Sequence, residues 1–153
     1  MEIKVYSNTF FDDVFGIVHK TIEEIYSKYY SRSAVDFYHN LHSEENMKNQ
    51  LSDEFVLVLM DNSKIFGTGA VLDNEIKRFF ILPEYQGKGY GKLLFKELEK
   101  NVNKEMYQKI FLYASLASVN FYLKNDYLYK SFNKYELPDK KYLCYFEMEK
   151  SVN

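Results

Sequence analysis

The sequence predicts one α/β domain of the α+β kind, with a mixed, mostly antiparallel central sheet of about seven strands flanked by about four helices. Three observations carry this. Apolar residues recur with a helical period in some stretches and alternate or run continuously in others, so both element types are present. Three strand-like runs between Glu54 and Leu82 follow one another through short turns, which makes them antiparallel neighbours. The other strands are separated by helical segments, giving the order β-α-α-β-β-β-α-β-α-β-β over residues 1–153 with no repeat, linker or low-complexity stretch.

Glu2 to Ser7 alternates polar and apolar residues and reads as a first strand. From Phe11 the apolar positions fall at 11, 14, 15, 18, 22, 25, 26 and 29, a helical period. Thr9 with Asp12 predicts an N-cap pair, the Asp also favouring the helix dipole. Arg32 to Asn40 is a second helical piece, and Ser43 before Glu44 and Glu45 reads as the capped start of a third that ends near Leu51. Glu54 to Met60 is apolar on both faces, as in a central strand. Asp61-Asn62-Ser63 is a turn, Lys64 to Leu72 the return strand, and Asp73-Asn74 a hairpin signal into Glu75 to Leu82. Gly67 and Gly69 weaken their strand and point to a bulge or a close backbone neighbour. Gly91 to Val102 is a helix with Leu94, Leu98 and Val102 on one face. Lys109 to Ser115 is a strand, Ser118 to Lys124 a short helix, and Tyr127 to Leu137 and Lys141 to Glu149 are strands around Pro138-Asp139.

A chain of 153 residues can bury roughly 70% of its unfolded surface in one core. The net charge of −2 argues against a general nucleic-acid binder. The single Cys144 has no partner for an internal disulfide, which fits a reducing compartment. The start MEIKVYSNTFF lacks the basic head and apolar core of a signal peptide, and the apolar run from Phe55 to Met60 is too short to span a bilayer. A cytoplasmic protein, monomer or homodimer, is expected.

The chain is organised around EIKRFFILPEYQGKGYGK, residues 75–92: a buried strand, a proline stop, a glycine-rich turn and a helix start. Gly87, Gly89 and Gly91 leave backbone N–H groups uncovered where the helix begins, and such an end attracts phosphate. A dinucleotide fingerprint fails because Lys92 stands where its third Gly belongs. A P-loop fails because Leu93, not Ser or Thr, follows Gly91-Lys92.

What remains, ILPEYQGKGYGKLL, resembles the acetyl-CoA-binding motif of the GCN5-related N-acetyltransferases, and NFYLKNDY resembles their second signature. The order of elements is similar to that fold over nearly the whole chain. The resemblance implies that backbone N–H groups from Gly87 to Lys92 hold the pyrophosphate of coenzyme A, with Gln86 and Tyr90 shaping the turn. Lys88, Lys92 and Lys96 are candidates to meet phosphates, against the simpler reading of solvated surface lysines. Phe79, Phe80 and Ile81 match the positions whose backbone pairs with the pantetheine arm, the Ile81 N–H being the expected donor to the thioester carbonyl.

The reaction so implied has two proton problems. A primary amine of pKa ~10.4 is neutral in roughly one molecule in 2,500 at pH 7, a cost of about 4–5 kcal/mol, so a base helps. Glu75 matches by position the catalytic glutamate of the histone acetyltransferase branch; its competing reading is a solvated carboxylate at a hairpin end. The departing thiolate needs a proton, which a phenol can supply. Tyr122 occupies the slot of the family's general acid, against the alternative of packing.

Two departures stand out. Ser115 and Leu116 lie where the family often has an Asn that bonds the pantetheine arm, so Ser115 is the substitute contact or none exists. Asp126, in Lys124-Asn125-Asp126-Tyr127, stands where a Gly usually takes positive φ. His39 and His42 are a weak metal pair without a third ligand, and no metal is expected. Tyr29, Tyr30, Phe37 and Tyr38 lie where the family builds its acceptor wall, although core packing explains each equally well. The acceptor expected is a primary amine of a small molecule or peptide. A non-catalytic acyl-CoA-binding regulatory module is the alternative, and a nucleotide-binding protein a third reading.

Overall fold

The computed structural model describes residues 1–152. The elements are β1 (Glu2–Val5), α1 (Phe11–Ile25), α2 (Arg32–Leu41), α3 (Glu44–Leu51), β2 (Phe55–Asp61), β3 (Lys64–Leu72), β4 (Glu75–Ile81), α4 (Tyr90–Lys100), β5 (Lys109–Ser115), α5 (Val119–Leu123), β6 (Leu128–Glu136) and β7 (Tyr142–Ser151). One seven-stranded sheet runs in the order β1-β2-β3-β4-β5-β7-β6. Neighbours are antiparallel except β4 and β5, which are parallel. The mixed α/β architecture is as the sequence predicts, except that three helices, not two, separate β1 from β2, giving five among the described residues. Among the described residues, no helix is long and apolar enough to cross a membrane.

The first helix differs in detail from its expected cap. A short 3-10 turn, Asn8–Phe10, leads into α1, and Thr9 Oγ1 pairs with Ser7 Oγ at 3.1 Å instead of capping. Asp12 and Asp13 do occupy the first turn, where their charge suits the dipole. After Ile25 the helical period continues in sequence, but the chain tightens into a 3-10 turn, Tyr26–Lys28. Ser43 caps α3 as predicted, accepting from the Asn46 N–H at 3.2 Å. Asp126 takes φ 69°, so an aspartate adopts the backbone conformation usually left to glycine, and the turn survives the substitution.

The glycines of β3 do lie at a bulge, but the close neighbours are side chains and not the backbone expected. Between the pairs Thr68–Phe80 and Ala70–Lys77, β4 carries one residue more than β3, so the bulge lies on β4 opposite Gly69. Arg78 within it has φ 44°. A Cβ on Gly67 would stand 2.6 Å from Ile81 Cδ1, and one on Gly69 would collide with Leu98 Cδ1. Side chains from β4 and α4 therefore fill the space that β3 leaves open.

The bulge and the alternation of β4 divide its side chains between two layers. Phe79 packs on Phe95 of α4 and Phe121 of α5, at ring-centroid distances of 5.1 and 5.2 Å. Phe80 points to the other face, toward Tyr26 and His42. Beyond its first residue β4 leaves β5. The described β4–β5 ladder holds the single registered pair Glu75–Phe111, tied by the Phe111 N–H to Asn74 O at 3.1 Å and by Asn74 Nδ2 to Lys109 O at 2.9 Å. Further along, β5 is held by β7 alone, down to Ser115–Tyr145. Tyr30 fastens this end: its hydroxyl accepts from the Leu116 N–H and donates to Cys144 O, each at 2.8 Å.

His42 is buried, and its Nδ1 has no hydrogen-bond partner among the described residues. Burial, with the positive Arg78 next in weight, depresses the imidazole from 6.5 to about 3. A depressed histidine contributes stability that is complete above the unfolded value and lost as pH falls below it. Between pH 6.5 and 5, His42 should cost the native state on the order of 2 kcal/mol. Urea unfolding of wild type and His42→Gln at both pH values should show the wild type losing more, by roughly that amount.

Candidate active site

The separation of β4 from β5 opens two cavities, of about 470 Å³ and about 430 Å³, which share Tyr26, Phe79, Phe80 and Ser118 as common wall. The first runs from the glycine turn, where Gln86, Gly87, Gly89, Gly91 and Lys92 line it, to Phe121, Lys124 and Asn125 beside α5. Gln86 ties the turn back to its strand by donating from Nε2 to Ile81 O at 2.8 Å. Gly87 and Gly89 have φ 74° and 86°, and a Cβ on either would meet nothing within 4 Å. The glycines answer to backbone conformation, not to lack of space. Gly89 is the N-cap of α4, and the first helical bond runs from the Leu93 N–H to Gly89 O at 3.1 Å. The N–H groups of Tyr90, Gly91 and Lys92 therefore have no acceptor within the helix, at its positive end.

The other residues singled out around the turn divide. Lys92 lines the cavity. Lys88 turns back, donating to Glu84 O at 2.8 Å and lying over the Tyr85 ring. Tyr90 packs against Phe66 and Tyr85, so it braces the turn from behind. Lys96 is exposed on α4. Phe79, Phe80 and Ile81 all line the first cavity. The Leu82 N–H bonds Phe66 O on β3, so alternation turns the Ile81 N–H away from β3 and toward the gap.

The second cavity contains Glu75, Tyr122 and Ser115 together. Glu75 is half-buried, and its carboxyl lies above the ordinary 4.5 because burial outweighs the attraction of Lys77, whose Nζ is 3.9 Å away. Tyr122 is buried beside Phe95 and Phe79. Burial, and next the neighbouring Tyr26, push its phenol well above 10, with Ser118 acting against them. Tyr26 itself is pushed up to about 12, chiefly by burial. Both phenols keep their protons at neutral pH. Ser115 Oγ lies 3.0 Å from Ser118 Oγ, and Ser115 lines the second cavity and not the first.

Several lining residues carry no motif in the sequence. Arg78 forms a buried ion pair with Glu54, and Gln50 accepts a hydrogen bond from its guanidinium. A charge in the middle of an apolar strand, with a carboxylate at the edge of another, was the available signal. Tyr113, Tyr135 and Tyr145 come from distant strands and carried none. Phe37 and Tyr38 do line this cavity, whereas Tyr29 is exposed. His39 and His42 do not converge. His39 meets His19 and Glu23, at 2.6 and 2.9 Å, while His42 faces Phe80. No group of three or more His, Cys, Asp or Glu among the described residues could hold a metal ion.

The family model described as an acetyltransferase (GNAT) domain matches residues 26–152. The chain belongs to the GNAT acetyltransferases. A sequence comparison with curated proteins gave no match. Among solved structures, a GCN5-related N-acetyltransferase from Rhodopseudomonas palustris superposes with TM-score 0.89 at 20% identity, covering 99% of this chain and 95% of the other. PaiA N-acetyltransferase from Thermoplasma acidophilum, in complex with coenzyme A, gives 0.72 at 23% identity, covering 99% and 100%. The ribosomal-protein-S18-alanine N-acetyltransferase from Escherichia coli gives 0.66 at 15%, covering 99% and 94%. These likenesses establish the GNAT fold, and family membership makes the protein an acyltransferase.

In this GNAT domain Gly89→Ala should force a side chain into positive φ, at a cost of roughly 1–2 kcal/mol. Urea unfolding at pH 7.5 should show that loss. Gly91→Ala, where a Cβ would meet Phe121 at an ordinary 3.4 Å, should lose less.

Proposed function

We propose that this protein transfers an acetyl group from acetyl-CoA directly to a primary amine of a small-molecule or peptide acceptor. The observation that carries the reading is the meeting of two cavities where β4 leaves β5, one ending on the glycine turn and the other on Glu75 and Tyr122. The residues present suit coenzyme A. The orphan N–H groups at the start of α4 and the Lys92 ammonium match its phosphates, and the unpaired edge of β4 matches an extended amide-bearing arm. When bound, acetyl-CoA supplies the activated acetyl group and a thiol as leaving group. A cytoplasmic location belongs to the same proposal.

Glu75 accepts a proton from the incoming ammonium, leaving a nucleophilic amine. Its raised pKa, from burial, makes the carboxylate a better base than an exposed one. The Ile81 N–H donates to the oxygen on which negative charge develops. Tyr122 gives its Oη proton to the departing sulfur and is reprotonated from solvent. In sum, one ammonium and one thioester become one amide, one thiol and one released proton. A second cavity holding both groups favours catalysis over a mere acyl-CoA-binding module.

Tyr122→Phe should lower kcat about 10²-fold while the KM for acetyl-CoA stays within a few-fold. Equal loss in both would make Tyr122 a packing residue. Glu75 acts as its anion and its carboxyl is raised, so the wild-type rate should climb with pH along a limb lying above pH 4.5. Glu75→Gln should remove that limb. A pH–kcat/KM profile unchanged by the substitution would dismiss Glu75 as the base.

A further inference from the structure

The second cavity has a charge balance that bears on the acceptor, and the inference drawn from it rests on the acetyl-transfer reading. Its charged groups gather at one end. Glu54 is engaged by Arg78 in a buried pair and by Lys77 at 3.4 Å. Lys77 also reaches toward Glu75 at 3.9 Å. Two carboxylates thus face two cations, and His42 beside them is uncharged because burial depresses it. One ammonium can be met by Glu75. A second on the same acceptor would face Lys77 and Arg78 with no spare carboxylate, a like-charge encounter in a half-buried site.

Much of the rest of the wall is aromatic, with Leu41, Gln50, Ser115, Ser118 and Leu143 between the rings. Phe37 of α2 and Tyr135 of β6 meet at 5.2 Å, and Tyr113 and Tyr145 pair edge to face at 5.9 Å. Tyr38 spends its hydroxyl on Tyr30 at 3.4 Å, so it offers the cavity a ring and not a free donor. Rings of this kind bury an apolar body and tolerate a single cation against their faces. Their faces suit an apolar body better than the several hydroxyl and ammonium groups of a sugar or a polyamine.

We infer that the acceptor is a monoamine carried on an aromatic or apolar body, an arylalkylamine in chemical class, selected by the Phe37–Tyr135 pair and by the positive charge of Lys77. Phe37 and Tyr135 hold the body, Glu75 the single ammonium, and Lys77 excludes a second one.

The test is thiol release from acetyl-CoA by the full chain at pH 8, with phenethylamine, spermidine, kanamycin and an alanine-headed hexapeptide as probes. Phenethylamine should show a kcat/KM about tenfold or more above each of the others. Tyr135 is exposed, so Tyr135→Ala should fold; it should raise the KM for phenethylamine several-fold while acting much less on kcat. Lys77→Met should raise the spermidine-to-phenethylamine ratio of kcat/KM several-fold. Preference for spermidine, kanamycin or the peptide would overturn the inference and leave acetyl transfer standing. So would a Lys77→Met variant with an unchanged ratio. No thiol release with any amine, while coenzyme A still raises the Tm, would overturn both.

Discussion

The parting of β4 from its parallel neighbour after a single registered pair is the constraint on which the site depends. A strand inside a sheet ordinarily satisfies its backbone on both sides. Here the outer edge of β4 beyond Glu75 has no strand opposite it, and both cavities open along that edge. The gap is kept open by its surroundings. A bulge re-aims Phe79, whose ring wedges against Phe95 and Phe121. Tyr30 pins the far end of β5 to β7 through the Leu116 amide and the Cys144 carbonyl. With β5 held outward and β4 held by β3, the sheet cannot close on itself.

The bulge in turn rests on a buried ion pair. Arg78, at φ 44°, sends its guanidinium inward to Glu54, and burial lowers that guanidinium from 12.5 to about 10. Such a pair adds little net stability, because desolvating two charges offsets most of their attraction. Breaking it would leave an uncompensated charge, so the pair fixes the conformation of the bulge more than it strengthens the domain. The pair adjoins the second cavity through Lys77, which reaches both Glu54 and Glu75.

Much of the first cavity is legible in the amino-acid sequence. The helix does begin at the glycine turn, and the structure adds that Gly87 and Gly89 take positive φ and that Gln86 binds the turn to its strand. Each of these depends on residues within about one helical turn of one another. Tyr122 and Glu75 are legible only through resemblance to a family, since nothing local separates them from the other tyrosines and glutamates. Of the candidates around the turn, Lys88, Tyr90 and Lys96 do not line the cavity, and their surroundings decide this: Phe66 and Tyr85 hold the Tyr90 ring, and Glu84 O and the Tyr85 ring draw Lys88 away.

The sequence by itself determined the elements, their order, the hairpins of the central sheet and the anion-seeking turn, because these follow from periodicity, capping and φ preference over short spans of chain. Only the tertiary structure decided that Glu75 and Tyr122 share a cavity, that Glu54 reaches Arg78, and that Phe37 meets Tyr135. Those encounters join residues 24 to 98 positions apart. They are set by how two helical layers pack on a splayed sheet, and no local pattern encodes them.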